Sequence, residues 1–253
     1  MRKKILSIIA VAALAAAVLA AAVALQVGVG DAAAQGPGPG GSGPGTPSAH
    51  VPSDPSQPLT AADAAGLAFM RQEEKLARDV YVTMAAKWGQ RAFTNIAAAE
   101  QTHLDDTAYL LDRYALVVPV AGATPGVFAN ARLAALYVSL VEKGSASLVE
   151  ALTVGATIED LDIADVENLL AAADNLDVRV LTQNLAKGSR NHLRSFVGLL
   201  DAMDAAYVPQ FIPAAEYDEI IATEAEHKVI YDADGNPVEG IANGPCAGKG
   251  PKK

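Results

Sequence analysis

The sequence predicts an all-α fold, namely a four-helix bundle with a long crossover between helices two and three. Four long segments carry apolar residues alternately three and four positions apart, which is the spacing of one buried helix face. The connection between the second and third segments, residues 116–144, contains Pro119, Pro125 and Gly126 and an amphipathic piece over residues 131–141. Two helices, a long connection and two further helices is the order found in the crossover class of four-helix bundle.

The first 34 residues have the pattern of an export signal. Three basic residues at positions 2–4 precede an apolar run over residues 5–25, and three alanines at positions 32–34 provide a small-residue cleavage site. The apolar run is also about 20 residues long, enough to span a bilayer, so an uncleaved N-terminal anchor is the alternative. We therefore expect a secreted or extracytoplasmic protein, attached to a membrane only if residues 5–25 are retained.

A single folded domain is predicted over residues 59–225. Residues 35–58 are rich in Gly, Pro and Ser without periodicity, so we expect a disordered linker there, and residues 226–253 are expected to form a loose C-terminal tail. The lone Cys246 allows no intrachain disulfide. The net charge is -10 and no helix face is rich in Lys or Arg, which argues against nucleic-acid binding. A homodimer is left open.

The first two predicted helices each place acidic residues on an otherwise apolar face. The first spans residues 61–88, and its core stripe is apolar except at Glu74. The second spans residues 92–114, and its stripe carries Glu100 and His103. Because these two residues are one turn apart on the same face, both side chains can reach one point.

The last two predicted helices repeat this departure from an apolar stripe. The third spans residues 145–173 and carries Glu159 and Asp162, one turn apart on its core face. The fourth spans residues 177–204 and carries His192 at a core position. Each of the four helices therefore presents at least one polar residue to the predicted core.

These polar residues predict a metal site in the core. Burying an unpaired carboxylate is costly, so several at similar depth indicate a shared cation. Carboxylates and imidazoles suit iron or manganese, and bundles that hold two such ions take one Glu from each of two helices and a Glu-x-x-His pair from each of the other two. We therefore predict two iron or manganese ions, no other cofactor and no assigned catalytic residue. The predicted ligands are Glu74, Glu100, His103, Glu159, Asp162 and His192.

Other interpretations stay open for single residues. Glu-x-x-His also occurs by chance, Glu159 and Asp162 fit a polar helix face, and His192 fits a histidine paired within the core. The pattern expects a glutamate three residues before His192, where the chain has Ser189. Either Asp162 supplies the missing carboxylate, or the site is mononuclear, asymmetric or weak. Glu73 is expected to be a solvated neighbour.

Several of these segments resemble one known family. They are Glu-Glu-Lys-Leu-Ala-Arg-Asp-Val-Tyr at 73–81, Asn-Ile-Ala-Ala-Ala-Glu-Gln-Thr-His at 95–103, and the segments at 144–148, 158–163 and 188–193. Together they resemble the ferritin-like group called domain of unknown function 2202, over about residues 65–222. The resemblance implies a ferritin-like bundle and, by analogy with rubrerythrin-like and bacterioferritin-like proteins, a di-metal carboxylate centre. It implies no activity, because the family has none that is settled.

The function expected from these features is redox chemistry at the metal pair. Ferrous oxidation, or reduction of dioxygen or peroxide, would make the protein a ferroxidase or a di-metal oxidase or peroxidase. One alternative is a non-catalytic protein that sequesters or delivers metal at the cell surface. Another is a bundle that binds a partner protein, with its acidic seam facing solvent or that partner.

Overall fold

The computed structural model describes residues 57–116, 124–227 and 229–238. Within these ranges the chain is all-helical apart from one isolated antiparallel bridge between Tyr231 and Pro237, which confirms the all-α class. The predicted signal or anchor, nearly all of the predicted linker, and Cys246 lie outside the described residues. No helix in the described part of the chain combines the length and the apolar composition that crossing a bilayer requires.

The helices of the described ranges begin and end close to the predicted positions. They are α1 (Ala61–Trp88), α2 (Arg91–Arg113), α3 (Ala131–Gly144), α4 (Leu148–Ala172), α5 (Leu176–Asp201) and α6 (Ala214–Ala222). The four long helices are α1, α2, α4 and α5, and the amphipathic piece of the crossover is helix α3.

Local side-chain chemistry explains where several helices begin and end. Thr60 starts α1 with a capping box, in which its hydroxyl accepts from the Asp63 amide and the Asp63 carboxylate accepts from the Thr60 amide, both at 3.0 Å. Gly89 ends α1 because it adopts a left-handed conformation with φ 63°. Ser147 and Asn175 accept hydrogen bonds from the first-turn amides of α4 and α5.

The four long helices pack around a shared interior. Helix α1 contacts α2 and α4, helix α5 contacts α4 and α2, and α3 lies against both α1 and α4. The buried apolar residues form two clusters, one containing Tyr81, Phe93 and Phe196 and the other containing Leu67 and Leu111. On α1, α2 and α5, the predicted metal-site positions fall between the residues of one cluster and those of the other, and on α4 they lie next to Ile163 of the first cluster and before Val166 of the second. A polar layer therefore crosses the interior between two apolar layers.

Helix α3 is fastened to the end of α1 by hydrogen bonds. The Tyr137 and Thr83 hydroxyls are 2.7 Å apart, and the Trp88 indole nitrogen donates to the Gly144 carbonyl at 3.0 Å. The crossover helix is thus held on the outside of the α1–α4 pair.

The chain that follows α5 is held by one buried carboxylate on α4. Asp160 is fully buried and accepts from the Tyr207 hydroxyl at 2.7 Å and from the backbone amides of Gln210, Phe211 and Ile212. These hydrogen bonds satisfy a charge that would otherwise be costly to bury, and they lead the chain to α6.

Part of the expected loose tail lies against α5. The Glu226 carboxylate accepts from Arg190 and Arg194, and Asn184 bonds the backbone of Tyr231 through both its amide groups. The described residues of the predicted tail, 226–227 and 229–238, therefore contact α5. Charged and amide partners on α5, rather than apolar residues, make the attachment, so a hydrophobicity pattern does not reveal it.

Candidate metal centre

The polar layer contains the six residues singled out by the sequence. They are Glu74 on α1, Glu100 and His103 on α2, Glu159 and Asp162 on α4, and His192 on α5. Glu74, Glu100 and Glu159 are only 1 to 2% exposed, so their carboxyl groups are removed from water. Each of the four long helices contributes to the layer.

Glu100 lies at the centre of this arrangement, between the two histidines. The His103 Nδ1 is 2.8 Å from Glu100 Oε2 and 3.3 Å from Glu74 Oε2. The His192 Nδ1 is 2.8 Å from Glu100 Oε1 and 3.4 Å from Glu159 Oε2. Two groups of three residues therefore share Glu100, and the potential ligand atoms of each group lie within 4.8 Å of one another.

The two imidazoles lie side by side because a glycine leaves room for one of them. The ring centroids of His103 and His192 are 5.6 Å apart, with the rings stacked. His103 lies directly over Gly188 on α5, where an added Cβ would be 2.6 Å from His103 Nε2. Any residue larger than glycine at position 188 would push the imidazole away from the layer. Gly188 is a buried residue on the core stripe of α5, and that position is the sequence signal for this close approach.

Asp162 is hydrogen-bonded to a serine and is not part of the two close groups that contain the other five residues. Its Oδ2 accepts a hydrogen bond from the buried Ser189 hydroxyl, and it belongs to neither of the two close groups found among the described residues. A carboxylate from α4 thus stands beside the position on α5 where the Glu-x-x-His pattern expects a glutamate.

One hydroxyl in the core orients a candidate ligand, and a second bonds the backbone of another. The fully buried Tyr81 donates its hydroxyl hydrogen to Glu159 Oε1 at 2.5 Å, and Thr107 Oγ1 donates to the His103 carbonyl at 2.8 Å. The only sequence signal for Tyr81 is its place two turns after Glu74 on the same stripe. Its contact with Glu159, 78 residues away, depends on how α1 and α4 pack.

The expectation that Glu73 is solvated is wrong. Glu73 is only 8% exposed, and burial together with the nearby carboxyl groups of Asp165 and Asp162 raises the pKa of its carboxyl group. Because α4 packs along α1, a wider face of α1 is covered than one apolar stripe indicates. Asp165 follows Asp162 by three residues, so a second carboxyl on the same face of α4 is the signal that sequence reasoning missed.

The electrostatics of the layer favour cations. Burial and the nearby Asp162 raise the pKa of Glu74. Burial alone would also raise the pKa of Glu100, but the two adjacent histidines hold it well below its usual range. Burial opposes a charge on His192, yet the carboxylates of Glu100 and Glu159 raise its pKa to about 10. Without metal, the imidazole of His192 is therefore protonated at neutral pH.

Burial and neighbouring charges also shift the pKa values of His103 and Asp162. Burial would lower the pKa of His103, but Glu74 and Glu100 raise it well above the usual value. Burial and the charge of Glu159 raise the pKa of Asp162 to about 7. Protons held by imidazoles and carboxyls thus offset part of the negative charge, and a divalent cation is the natural replacement for them.

Several buried ligand atoms have no hydrogen bond among the described residues. They include Glu74 Oε1, Glu100 Oε1 and His192 Nδ1. His192 Nδ1 and Glu100 Oε1 are 2.8 Å apart, but the oxygen lies off the line on which the ring N–H would point, so the contact is an ion pair without hydrogen-bond geometry. Buried polar atoms that converge without bonding one another are arranged as ligands are around a metal ion. Carboxylate oxygens and imidazole nitrogens also form a donor set that suits iron and manganese.

Comparisons with known proteins give a family and one close relative. A family model described as "Uncharacterized protein domain (DUF2202)" matches residues 63–224, which confirms that part of the resemblance. The uncharacterized protein MJ0754 of Methanocaldococcus jannaschii is 50% identical over 177 residues, which cover 70% of this chain and 96% of that protein. A crystal structure of hypothetical protein MJ0754 from the same organism matches with a TM-score of 0.68 and covers 69% of this chain and all of that chain. None of these names states an activity.

Proposed function

This chain belongs to the family of the uncharacterized protein domain DUF2202, and we propose that it binds two iron or manganese ions in the core of a ferritin-like four-helix bundle. The single observation that carries the proposal is the position of Glu100, whose two carboxylate oxygens each lie 2.8 Å from a different histidine. A carboxylate shared between two groups of ligands is the arrangement that bridges two cations.

The ligand sets follow from the two groups that share Glu100. One ion would be held by Glu74, Glu100 and His103, and the other by Glu100, Glu159 and His192. The ion pairs of Glu74, Glu100 and Glu159 within the described residues are all with these two histidines. No lysine or arginine of the described residues forms an ion pair with these carboxylates, so none competes there with a metal ion.

The helix arrangement supports the ferritin-like assignment. The first and second long helices are neighbours, as are the third and fourth, and the long connection between the pairs contains α3. All four long helices contribute ligands, as they do in di-metal carboxylate bundles. The departure from that pattern is Ser189, and its hydrogen-bond partner Asp162 offers a carboxylate at the same place.

The chemistry that two such ions would supply when bound is electron transfer, either from the ions to dioxygen or peroxide, or from further ferrous iron to dioxygen as the oxidant. The protein's own residues orient the ligands and exclude water. Tyr81 fixes Glu159 through its hydroxyl, and the rings of Tyr81, Phe93 and Phe196 form an apolar layer on one side. His103 and His192 would release their protons on binding metal, so the site would exchange protons for cations. We also propose that the protein acts outside the cytoplasmic membrane, because of the export pattern in residues 1–34.

Titration with ferrous iron and with manganese under anaerobic conditions tests the proposal. We expect the purified protein to bind two ions per chain, measured by calorimetry, and the Glu100→Ala variant to bind none, because it loses the ligand that both ions share. The matched control is Glu142→Ala, since Glu142 is an exposed glutamate on α3. Unchanged metal stoichiometry in Glu100→Ala would contradict the assignment.

Admission of dioxygen or peroxide to the loaded protein then tests the redox part. Oxidation of the metal with turnover supports catalysis. Binding of two ions without turnover would instead support the alternative of a metal-sequestering protein.

A further inference from the structure

A small cavity lies between helices α1, α3 and α4, beside the candidate metal centre. Its volume is about 30 Å³. A single water-sized position needs about 10–15 Å³ by the same measure, so the cavity has room for two adjoining positions, the size of a diatomic molecule. Most of its wall is aliphatic, and the apolar residues are Leu76, Ala77, Leu136, Leu140, Ile158 and Leu161.

The cavity adjoins the metal centre through its polar wall. Asp162 belongs both to this wall and to the predicted ligand set, and Glu73 in the wall directly precedes Glu74. Ile158 and Leu161, on the same helix as Asp162, are only half-buried, so solvent is close. A molecule in the cavity would therefore lie beside Asp162 and near the surface.

Two of the three polar groups of the wall have hydrogen-bond partners elsewhere. The Thr157 hydroxyl donates to the Thr153 carbonyl at 2.7 Å and accepts from the Gln210 side chain at 3.2 Å. Asp162 Oδ2 accepts from the Ser189 hydroxyl, whereas Glu73 Oε2 is buried without a hydrogen-bond partner among the described residues. A buried water needs two to four polar partners, and the wall offers this one unpartnered oxygen, so the cavity suits an apolar molecule better than it suits water or peroxide.

We propose that this cavity binds dioxygen and holds it next to the metal pair. The inference rests on the proposed function, because dioxygen is the oxidant of that same site. The apolar wall supplied by α3 gives the crossover helix a role beyond connecting the two helix pairs. Leu136 and Leu140 on α3 are 2 and 3% exposed, so they face the interior as this role requires.

Binding is tested first on the metal-free protein, so that it does not depend on activity. Xenon occupies dry apolar cavities and serves as the probe, with dissolved dioxygen as a paramagnetic second probe. We expect a saturable xenon-induced shift in the methyl signals of Leu136 and Leu140, together with relaxation of the same signals by dioxygen. The Ala77→Val variant, which fills the cavity, should lose this response. The control Ala86→Val makes the same change at an exposed position of α1 and should keep it.

The second measurement is the rate at which dioxygen oxidises the ferrous-loaded protein. Ala77→Val should bind as many ions as the parent protein but react severalfold more slowly, whereas Ala86→Val should react at the parent rate. If Ala77→Val does not fold, Leu161→Phe fills the cavity from its half-buried edge and serves instead.

Failure of this inference is distinguishable from failure of the proposed function. The absence of a saturable methyl response in the parent protein would overturn the inference, whatever metal the protein binds. An unchanged oxidation rate in a variant that has lost the response would overturn it as well. A protein that binds no metal would refute the proposed function and still report on the cavity through xenon.

Discussion

Replacing Gly188 with alanine should remove one of the two metal ions, at a position where the same change would ordinarily stabilise a helix. Alanine is favoured over glycine in a helix interior by about 1 kcal/mol. At position 188, however, the new methyl group would lie 2.6 Å from His103 Nε2, where 3.4 Å or more is ordinary contact. The imidazole must therefore withdraw by about 1 Å, whereas metal–ligand distances tolerate only about 0.2 Å. We expect the ion held by Glu74, Glu100 and His103 to be lost.

The assay compares Gly188→Ala with Gly198→Ala on the same helix. Gly198 is exposed and has nothing within 4 Å of an added Cβ, so that variant should gain up to about 1 kcal/mol in unfolding free energy and keep its metal. Metal content and thermal unfolding with and without manganese are measured for both variants. Metal that binds only the folded state raises its stability, so Gly188→Ala should lose the part of that increase that the ion at His103 contributes. Parent-like metal affinity in Gly188→Ala would refute the reasoning about His103.

Four further results are expected. Metal binding should release the protons of both His103 and His192, so the metal affinity should rise with pH; calorimetry in buffers of different ionisation enthalpy measures the protons released. The pKa of His192 is raised to about 10 in the folded, metal-free protein, so its positive charge contributes to stability. This contribution is complete below about pH 6.5 and is lost as the pH rises toward 10. Chemical denaturation at several pH values would detect the loss. Tyr81→Phe should leave two ions bound but lower the unfolding free energy by about 1–3 kcal/mol, since Glu159 loses a buried donor. Asp160→Ala should destabilise the domain by a similar amount, about 1–3 kcal/mol, and leave the metal stoichiometry unchanged, because its hydrogen bonds hold residues 207–212 and not the polar layer.

The helices were predictable because their determinants are local. Apolar spacing, the Thr60 and Ser147 caps and the Gly89 terminus act within a few residues of chain, and they place α1 and α4 close to where the sequence predicts them. Polar residues on core stripes were visible for the same reason. The spacing of apolar residues along a helix is enough to predict that Glu100 faces the interior, even though it does not identify the residues that Glu100 contacts.

Contacts between helices were not predictable from spacing alone. The burial of Glu73 depends on how far α4 covers α1, and the hydrogen bond between Ser189 and Asp162 depends on the rotation of α5 against α4. The close approach of Gly188 to His103 is set by the distance between α2 and α5. The sequence indicates that Gly188 permits a close approach, but it does not give the distance or the partner, so the contacts that orient the site are seen only in the structure.

The central claim is that two ions bind on either side of the Glu100 carboxylate. Anomalous diffraction from crystals loaded anaerobically with ferrous iron or manganese tests it most directly. The account predicts two peaks in the polar layer, one beside Glu74 and His103 and the other beside Glu159 and His192. A single peak, or no peak among these residues under saturating metal, would contradict it.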